Sequence, residues 1–228
     1  MNFLYLQEKI FKKISYHFHA AIFYIIKKPL YILNFNTNGN KFQCKGVLIK
    51  STINLQGRNN QILIEQGVKL NNVNIAITGS NNKLILHKNV IFHEKGRVKL
   101  EDENNLIEVG ENTDFVNCFF AVSDYNSKVI IGKDSMLSGE IIIRNSDVHS
   151  ILNEENKRIN PGRDVIIGDR VWVGYGANIL KGSIIENDAI IGTQSVISGL
   201  HVPANSIAAG NPAKIVKTNI HWCKERIK

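Results

Sequence analysis

Cysteine and proline are both scarce in this chain. Its 228 residues include three cysteines and four prolines. The cysteines are odd in number, widely separated and never in a Cys-x-x-Cys spacing, which argues against a disulfide framework and a zinc site. We therefore expect a reducing compartment and no bound metal. The three cysteines are Cys44, Cys118 and Cys223.

A hydrophobic run long enough to cross a membrane is also lacking. The longest apolar stretch near the N-terminus, residues 18–26, has nine residues and includes His19. A transmembrane helix needs about 20 predominantly apolar residues. No small-residue cleavage site follows the stretch, which argues against a secretory signal. The sequence therefore predicts a cytoplasmic protein.

Most of the chain has no excess of positive charge, although the formal net charge is +8. The excess lies at the ends, where residues 1–33 and residues 211–228 each hold five basic residues and one glutamate. A nucleic-acid-binding domain carries a basic stripe on its main surface, so this distribution predicts no nucleic-acid binding. The basic ends instead suggest local contacts with an anionic membrane and an anionic cofactor.

The N-terminal segment shows the spacing of an amphipathic helix. Apolar residues recur four apart within residues 3–28, and Pro29 would end the helix. Two interpretations stay open: the helix packs on its own protein or on a symmetry mate, or it binds an anionic membrane surface. We assign residues 1–35 to this basic helical segment. Its apolar series is Ile10, Ile14, Phe18, Ile22 and Ile26.

From residue 50 onward the sequence repeats itself. An Asn-Asn or Asn-Ser pair recurs every 22 or 23 residues, and apolar residues follow two and four positions later. Asparagine tolerates the left-handed backbone conformation of a tight corner. No unit of this length buries its own apolar face, so the units must stack as a β-solenoid. The pairs stand at 59–60, 81–82, 104–105 and 126–127.

In the second half the repeat shortens to six residues. Six aliphatic residues stand six apart from Ile167 to Ile197, and mostly small residues follow each by four. Neither a helix nor a flat strand has this period. A triangular coil does, with one inward aliphatic side chain on each face and about 18 residues per turn. The residues expected at its corners are Val171, Ala177, Ser183, Ala189, Ser195 and His201.

These features resemble the hexapeptide-repeat acyltransferases. The resemblance rests on the aliphatic ladder, on Ile191-Gly192-Thr193-Gln194-Ser195-Val196 and on Ala208-Ala209-Gly210-Asn211-Pro212-Ala213-Lys214. It implies an all-β solenoid, a left-handed parallel β-helix, over residues 36–215, with a short basic tail over 216–228. It also implies a homotrimer with active sites between subunits and acetyl-CoA as the donor substrate.

A polar loop over residues 150–164 interrupts the repeat, and such an insertion is expected to be functional. Together with Ser146-Asp147-Val148-His149-Ser150-Ile151 before it and Val171-Trp172-Val173-Gly174 after it, the loop resembles the sialic-acid and capsule O-acetyltransferases. The resemblance implies that His149 and Trp172 form the active centre.

His149 is the expected general base, because a neutral imidazole is suited to take the proton of an attacking sugar hydroxyl. Asp147 would share its face on a strand and either orient the imidazole or hold the acceptor. The competing interpretation makes His149 a polar corner residue. The histidines expected to be structural are His87, His93, His201 and His221.

Trp172 follows the inward Val171, so we expect it to face outward, covered by a neighbouring subunit or by the pantetheine arm of the donor. Lys214 and Lys217 would meet the phosphates of CoA, although a solvated basic tail is the alternative. The resemblance further implies close backbone approach to the pantetheine at Gly174, Gly192 and Thr193.

The acceptor is predicted only by class. Arg144, Lys157 and Arg158 lie near His149 and favour an acidic capsular or lipopolysaccharide sugar. A small-molecule acetyltransferase, acting on an antibiotic or an amino-sugar nucleotide, stays open, as does a non-catalytic scaffold. The paired histidines of a γ-type carbonic anhydrase and the large helical domain of a serine acetyltransferase are missing.

Overall fold

The structure, a computed structural model, describes residues 31–227, which form 25 β-strands and contain no helix. This described range therefore holds no helix with the length and hydrophobicity to cross a membrane. The helix expected over residues 3–28 lies outside it. The first strand falls within the segment 1–35 that the sequence analysis set apart from the solenoid.

The strands are short and evenly distributed. The first twelve are β1 Tyr31–Phe35, β2 Lys41–Cys44, β3 Val47–Ile49, β4 Ser51–Leu55, β5 Gln61–Ile64, β6 Lys69–Asn71, β7 Val73–Ile77, β8 Lys83–Leu86, β9 Ile91–Phe92, β10 Gly96–Leu100, β11 Leu106–Val109 and β12 Asp114–Phe115. The remaining strands are β13 Cys118–Val122, β14 Lys128–Ile131, β15 Met136–Leu137, β16 Ile141–Arg144, β17 Val165–Ile167, β18 Trp172–Val173, β19 Asn178–Leu180, β20 Ile184–Ile185, β21 Ile190–Ile191, β22 Val196–Ser198, β23 His201–Val202, β24 Ile207–Gly210 and β25 Ala213–Lys217.

Successive strands rotate through three sheets. Sheet A holds β1 and every third strand to β22, sheet B runs from β2 to β23, and sheet C runs from β3 to β24. Three consecutive strands make one coil, so the described chain winds through eight coils. Pairing between coils is parallel, and only β25 adds antiparallel to sheet C. The predicted β-solenoid is confirmed.

The predicted periods are also confirmed. Ile62 pairs with Leu84 in the first half, and Trp172 pairs with Ile190 in the second half. These registers correspond to coils of 22 and 18 residues. The aliphatic ladder is fully buried inside the coil, as the triangular arrangement requires: Ile167, Val173, Ile179, Ile185, Ile191 and Ile197.

His201 was expected at an inward corner, and that expectation is wrong. The other five residues of its series are completely buried, whereas His201 is exposed and its imidazole contacts Glu186 at 2.7 Å. Its strand pairs Ile184 with His201, a spacing of 17 residues instead of 18. The last coil is therefore one residue shorter at this corner, which moves His201 to the outer face.

A buried asparagine ladder closes the corner between sheets A and B. Asn82 is fully buried, and its amide donates to the carbonyl oxygens of Thr78 and Asp102 at 2.8 and 2.9 Å. Its own side-chain oxygen accepts the backbone N–H of Asn105 at 2.9 Å. Asn60 makes the same contacts one coil earlier. Each asparagine thus satisfies backbone groups that the corner would otherwise bury without partners.

The first residue of each Asn-Asn or Asn-Ser pair has a left-handed backbone. The φ angles of Asn59, Asn81, Asn104 and Asn126 are 57°, 59°, 61° and 56°. Asparagine adopts this conformation at low cost. The two residues of each pair therefore have different roles. The first residue turns the chain, and the second fills the corner.

We predict that Asn82→Ala lowers the free energy of unfolding by about 3 kcal/mol or more. The substitution removes three hydrogen bonds, to the Thr78 and Asp102 carbonyl oxygens and from the buried Asn105 N–H, and each loss costs about 1–3 kcal/mol. Guanidinium chloride unfolding followed by circular dichroism measures the change.

Asn74→Ala is the matched control, because Asn74 is exposed on the outer face of β7. Its effect should stay within about 0.5 kcal/mol. Equal effects of the two substitutions would show that the ladder does not stabilise the corner.

Candidate functional site

The coil opens at one corner, between sheets A and B. Strand β16 ends at Arg144 and β17 begins at Val165, and the intervening segment leaves the coil. Part of it is a small hairpin in which Ile159 N–H donates to the Ile151 carbonyl oxygen at 2.9 Å. The side chain of Asn153 accepts two backbone N–H groups across its turn. The polar loop predicted from the sequence is therefore an ordered extrusion.

Asp124 anchors this loop to the preceding coil. The guanidinium of Arg158 donates to both of its carboxylate oxygens at 2.7 and 2.8 Å. Ser146 Oγ and the Gly162 N–H donate to the same carboxylate, each at 2.8 Å. Arg158 foremost, aided by these two donors, holds the pKa of Asp124 below its usual range. The bidentate pair holds the hairpin, while Ser146 and Gly162 tie the two ends of the loop to the same carboxylate.

His149 lies on the exposed side of the loop. Val148 has a φ of 69°, and the His149 N–H donates to the Asp147 carbonyl oxygen at 2.7 Å. The segment is a tight turn and not a strand, so the expectation that Asp147 and His149 share one strand face is wrong. Within residues 31–227 the imidazole of His149 makes no hydrogen bond or ion pair.

Asp147 is held by other partners. Its carboxylate accepts a hydrogen bond from Lys181 Nζ and another from Asn160 Nδ2, the latter at 2.8 Å. Lys181 first, and then Asn160, lower the pKa of Asp147 from its ordinary value. Asn160 Nδ2 also donates to the His149 carbonyl oxygen at 2.9 Å. Asp147 therefore fixes the backbone that carries His149 and does not orient the imidazole directly.

The three cations expected to bind the acceptor have different surroundings. Arg158 is occupied by Asp124, as described above. Lys157 lies at the tip of the hairpin and pairs with Glu155 at 2.8 Å. Arg144 is exposed at the end of β16 and has no ion pair in the described part of the chain. Of the three, Arg144 is the cation that a ligand reaches without breaking an existing pair.

The loop also exposes an apolar cluster. Its four members are each more than half exposed, although aliphatic side chains of this size are normally buried. Nothing in residues 31–227 covers them. The cluster consists of Val148, Ile151, Leu152 and Ile159.

Trp172 lies on sheet C and faces outward, 37% exposed, whereas Val173 is buried. Trp222 packs against it with ring centroids 6.0 Å apart. The indole N–H of Trp222 donates to the Arg170 carbonyl oxygen at 2.7 Å. Residues 218–227, which we name the C-terminal strap, therefore fold back over the outer face of sheet C instead of extending into solvent.

The two glycines expected near the donor have a structural reason of their own. A Cβ at Gly174 would lie 2.7 Å from the backbone nitrogen of Thr193 in the next coil. A Cβ at Gly192 would lie 2.8 Å from the Cβ of Ala209. Both distances are too short for real contacts, so the stacking of coils requires glycine at both positions with or without a donor.

Lys214 and Lys217 share one face. Strand β25 pairs with β24 across a bulge that sets Lys217 opposite Ile207 and Lys214 opposite Ala209. Ile207 and Ala209 flank the buried Ala208, so both point outward. Residues directly opposite each other project to the same side, so both exposed lysines lie on the outer face of sheet C. Without the bulge, their odd separation would have put them on opposite faces.

The predicted site residues therefore form two groups. His149, Asp147 and their neighbours lie at the corner between sheets A and B, whereas Trp172 and the two lysines lie on sheet C. In a three-faced coil, sheet C is the face opposite that corner, so one chain does not bring His149 next to Trp172. No group of three or more residues suited to hold a metal occurs among residues 31–227.

Sequence reasoning missed four residues that build these two groups. Asp124, Asn160 and Lys181 hold the loop, but their contacts reach residues up to 38 positions away and they belong to no motif. Trp222 had a usable signal, since the chain has only two tryptophans and the other was already a candidate.

Comparison with known proteins places the chain among acetyltransferases. No family model matches it. A polysialic acid O-acetyltransferase of Escherichia coli O1:K1 / APEC is 39% identical over 94 residues, which are 41% of this chain and 30% of that protein. One of Neisseria meningitidis is 41% identical over 92 residues, which are 40% of this chain and 43% of that protein. The match thus spans less than half of either relative.

Solved structures match over a longer range. The polySia specific acetyltransferase NeuO superposes with a TM-score of 0.78 at 33% identity, covering 87% of this chain and 91% of that chain. The polysialic acid O-acetyltransferase OatWY gives 0.77 at 30% identity, covering 86% and 92%. The chain therefore belongs to the family of hexapeptide-repeat O-acetyltransferases that includes NeuO and OatWY.

Proposed function

We propose that the protein transfers an acetyl group from acetyl-CoA to a hydroxyl of a bacterial surface sugar, capsular or lipopolysaccharide. The observation that carries the proposal is its similarity to NeuO and OatWY, which extends over about nine-tenths of both structures at 30% identity or more. The names of these two proteins specify polysialic acid. For this chain we propose the wider class of acidic surface glycans, with Arg144 as the contact for the acceptor's negative charge.

His149 acts as the general base in this proposal. The imidazole takes the proton of the acceptor hydroxyl as its oxygen attacks the thioester carbonyl carbon. The tetrahedral intermediate then collapses, the carbon–sulfur bond breaks, and the leaving CoA thiolate takes the acceptor's proton from the imidazolium. The exposure of His149 and the absence of a partner for its ring within residues 31–227 support this role, because a base must be accessible to substrate.

The outer face of sheet C would hold the donor. Trp172 offers an apolar surface to the thioester and pantetheine arm, and Lys214 and Lys217 offer charge to the phosphates. The backbone at Gly174, Gly192 and Thr193 would lie alongside the arm. The common outward direction of the two lysines supports this arrangement, since one extended anion can meet both.

A homotrimer would unite the two groups. Each loop would reach a neighbouring subunit, so that His149 of one chain meets the donor on sheet C of the next. The uncovered apolar cluster of the loop supports this, because a partner subunit would bury it. We further propose that the coil is left-handed and that residues 36–215 form the catalytic unit between the basic segment 1–35 and the tail 216–228.

We place this activity in the cytoplasm, at the inner face of the membrane. The basic charge and apolar periodicity of residues 3–28 support peripheral contact with anionic lipids. Removal of residues 1–33 should then abolish cosedimentation with vesicles containing phosphatidylglycerol. Binding that survives the deletion would overturn this part of the proposal.

The proposed reaction predicts that His149→Ala reduces kcat by about 10²- to 10⁴-fold, the usual contribution of a general base. Release of CoA thiol from acetyl-CoA measures the rate, with acidic and neutral capsule oligosaccharides and small-molecule acceptors tested side by side. His201→Ala is the control, since His201 is an exposed histidine outside both groups.

The outcomes separate the parts of the proposal. Glycan-dependent release that survives His149→Ala would keep the transferase and reject this base. CoA release that occurs only with small-molecule acceptors would reject the glycan acceptor and indicate a small-molecule acetyltransferase. No release with any acceptor would contradict the enzyme activity.

The loop anchor gives a second prediction, which concerns pH. The lowered pKa of Asp124 means that its pair with Arg158 stabilises the loop above the ordinary aspartate pKa of about 3.9. That contribution is lost as the pH falls through the lowered value. The hydrogen-exchange protection factors of the backbone amides in residues 150–163 should therefore stay constant from pH 5 to 8 in the wild type and fall in Arg158→Ala.

Lys157→Ala is the matched control for this measurement, because Lys157 sits beside Arg158 but pairs only with the exposed Glu155. Its exchange should equal that of the wild type. Unchanged exchange in Arg158→Ala would show that Asp124 does not hold the loop.

A further inference from the structure

We propose that Trp222 is a positioning residue of the donor site, which holds the indole of Trp172 and completes with it an aromatic surface for the pantetheine arm. The inference rests on the proposed function, because it requires an acyl-CoA donor on sheet C. It adds a residue of the C-terminal strap to a site that is otherwise built from the coil.

The strap is seated on the coil by alternate residues. Ile220 and Trp222 are partly buried, whereas the residues around them are exposed. This alternation is that of an extended chain with one side against a surface. Trp222 is the only aromatic residue on that side, and its indole is directed at Trp172.

Three polar contacts fix the course of the strap. The Ile220 N–H donates to the Asn205 carbonyl oxygen at 2.9 Å, and Lys224 Nζ donates to Asp114 at 2.8 Å. Between them the Trp222 indole N–H donates to the carbonyl oxygen of Arg170, two residues before Trp172. The strap thus runs along the coil axis from the eighth coil to the fourth, and its central contact lies beside the proposed donor residue.

The geometry of the two indoles leaves room for a ligand. Their planes are inclined at 46°, so the rings are tilted against each other and not stacked face to face. Trp172 remains 37% exposed beneath Trp222. Two inclined indoles with part of one face open form an apolar corner, into which a thin chain fits better than a second protein segment.

The two lysines on sheet C are placed to contact the phosphates of the same donor. Three strand spacings separate Trp172 on β18 from β25, which carries Lys214 and Lys217. At about 4.8 Å each, this distance is about 14 Å. An extended pantetheine arm spans a comparable distance between its sulfur and its phosphates. An acyl-CoA with its thioester at the indole pair therefore reaches the two lysines with its anionic end.

Fluorine NMR tests the assignment directly, because the chain has two tryptophans and both belong to this pair. The full chain labelled with 5-fluorotryptophan should give two resonances, assigned with Trp222→Phe. Titration with CoA should shift both. A Trp222 resonance that stays unchanged while that of Trp172 moves would overturn the proposal.

Kinetics separate a donor role from a merely structural one. Trp222→Ala should raise the KM for acetyl-CoA about tenfold and change kcat less than about threefold, since an aromatic contact and one hydrogen bond are lost. Trp222→Phe keeps a ring and should recover part of the loss. His221→Ala, on the exposed side of the strap, should leave both constants unchanged.

Failure of this inference differs from failure of the proposed function. Calorimetry that detects CoA binding, together with an unchanged KM in Trp222→Ala, would reject Trp222 alone. No CoA binding to the wild type and no shift of either resonance would reject the donor and, with it, the role of Trp222.

Discussion

The protein depends on the parallel stacking of one coil on the next. Strands inside the stack satisfy their backbone groups through the coils on both sides, so each corner must turn without leaving polar groups unpaired. The buried asparagines solve this at the corner between sheets A and B, because each links its own coil to the following one. The same constraint requires glycine at positions 174 and 192, where a Cβ would clash with the next coil. Side chains on the outer faces are not restricted by coil stacking, and the candidate site residues lie on those faces.

The interior of the fold could be predicted from the sequence because its repeat is strict. The six-residue ladder indicated which side chains point inward, and the asparagine pairs indicated where the chain turns. The last coil is one residue shorter, which places His201 on the outer face. A regular period could not predict this shortening, so the position of His201 was predicted wrongly. The site was less predictable. Asp147 was placed on a strand because spacing shows proximity along the chain, whereas the turn at Val148 depends on contacts from Asn160 and Lys181.

The two groups of candidate site residues, those around His149 in the loop and those around Trp172 on sheet C, are far apart in one chain. The coil is a rigid prism, so side chains on one face and at the opposite corner cannot approach each other by small movements. The loop is fastened by Asp124 to its own corner, and the strap is fastened to its own sheet C. We proposed on this basis that the base and the donor come from different subunits. The exposed apolar residues of the loop support a subunit contact, and the shared face of Lys214 and Lys217 supports a donor site on sheet C.

Mixing two inactive variants tests this arrangement most directly. Chains with His149→Ala and chains with Trp172→Ala would be coexpressed in equal amounts and assayed for acetyl transfer as purified mixed assemblies. In a cyclic homo-oligomer with sites between subunits, random mixing leaves about one quarter of the sites with both residues intact. The account predicts activity near that fraction of the wild type, far above either variant alone. Activity no greater than the average of the two variants would contradict it, because it would place both residues of each site on one chain.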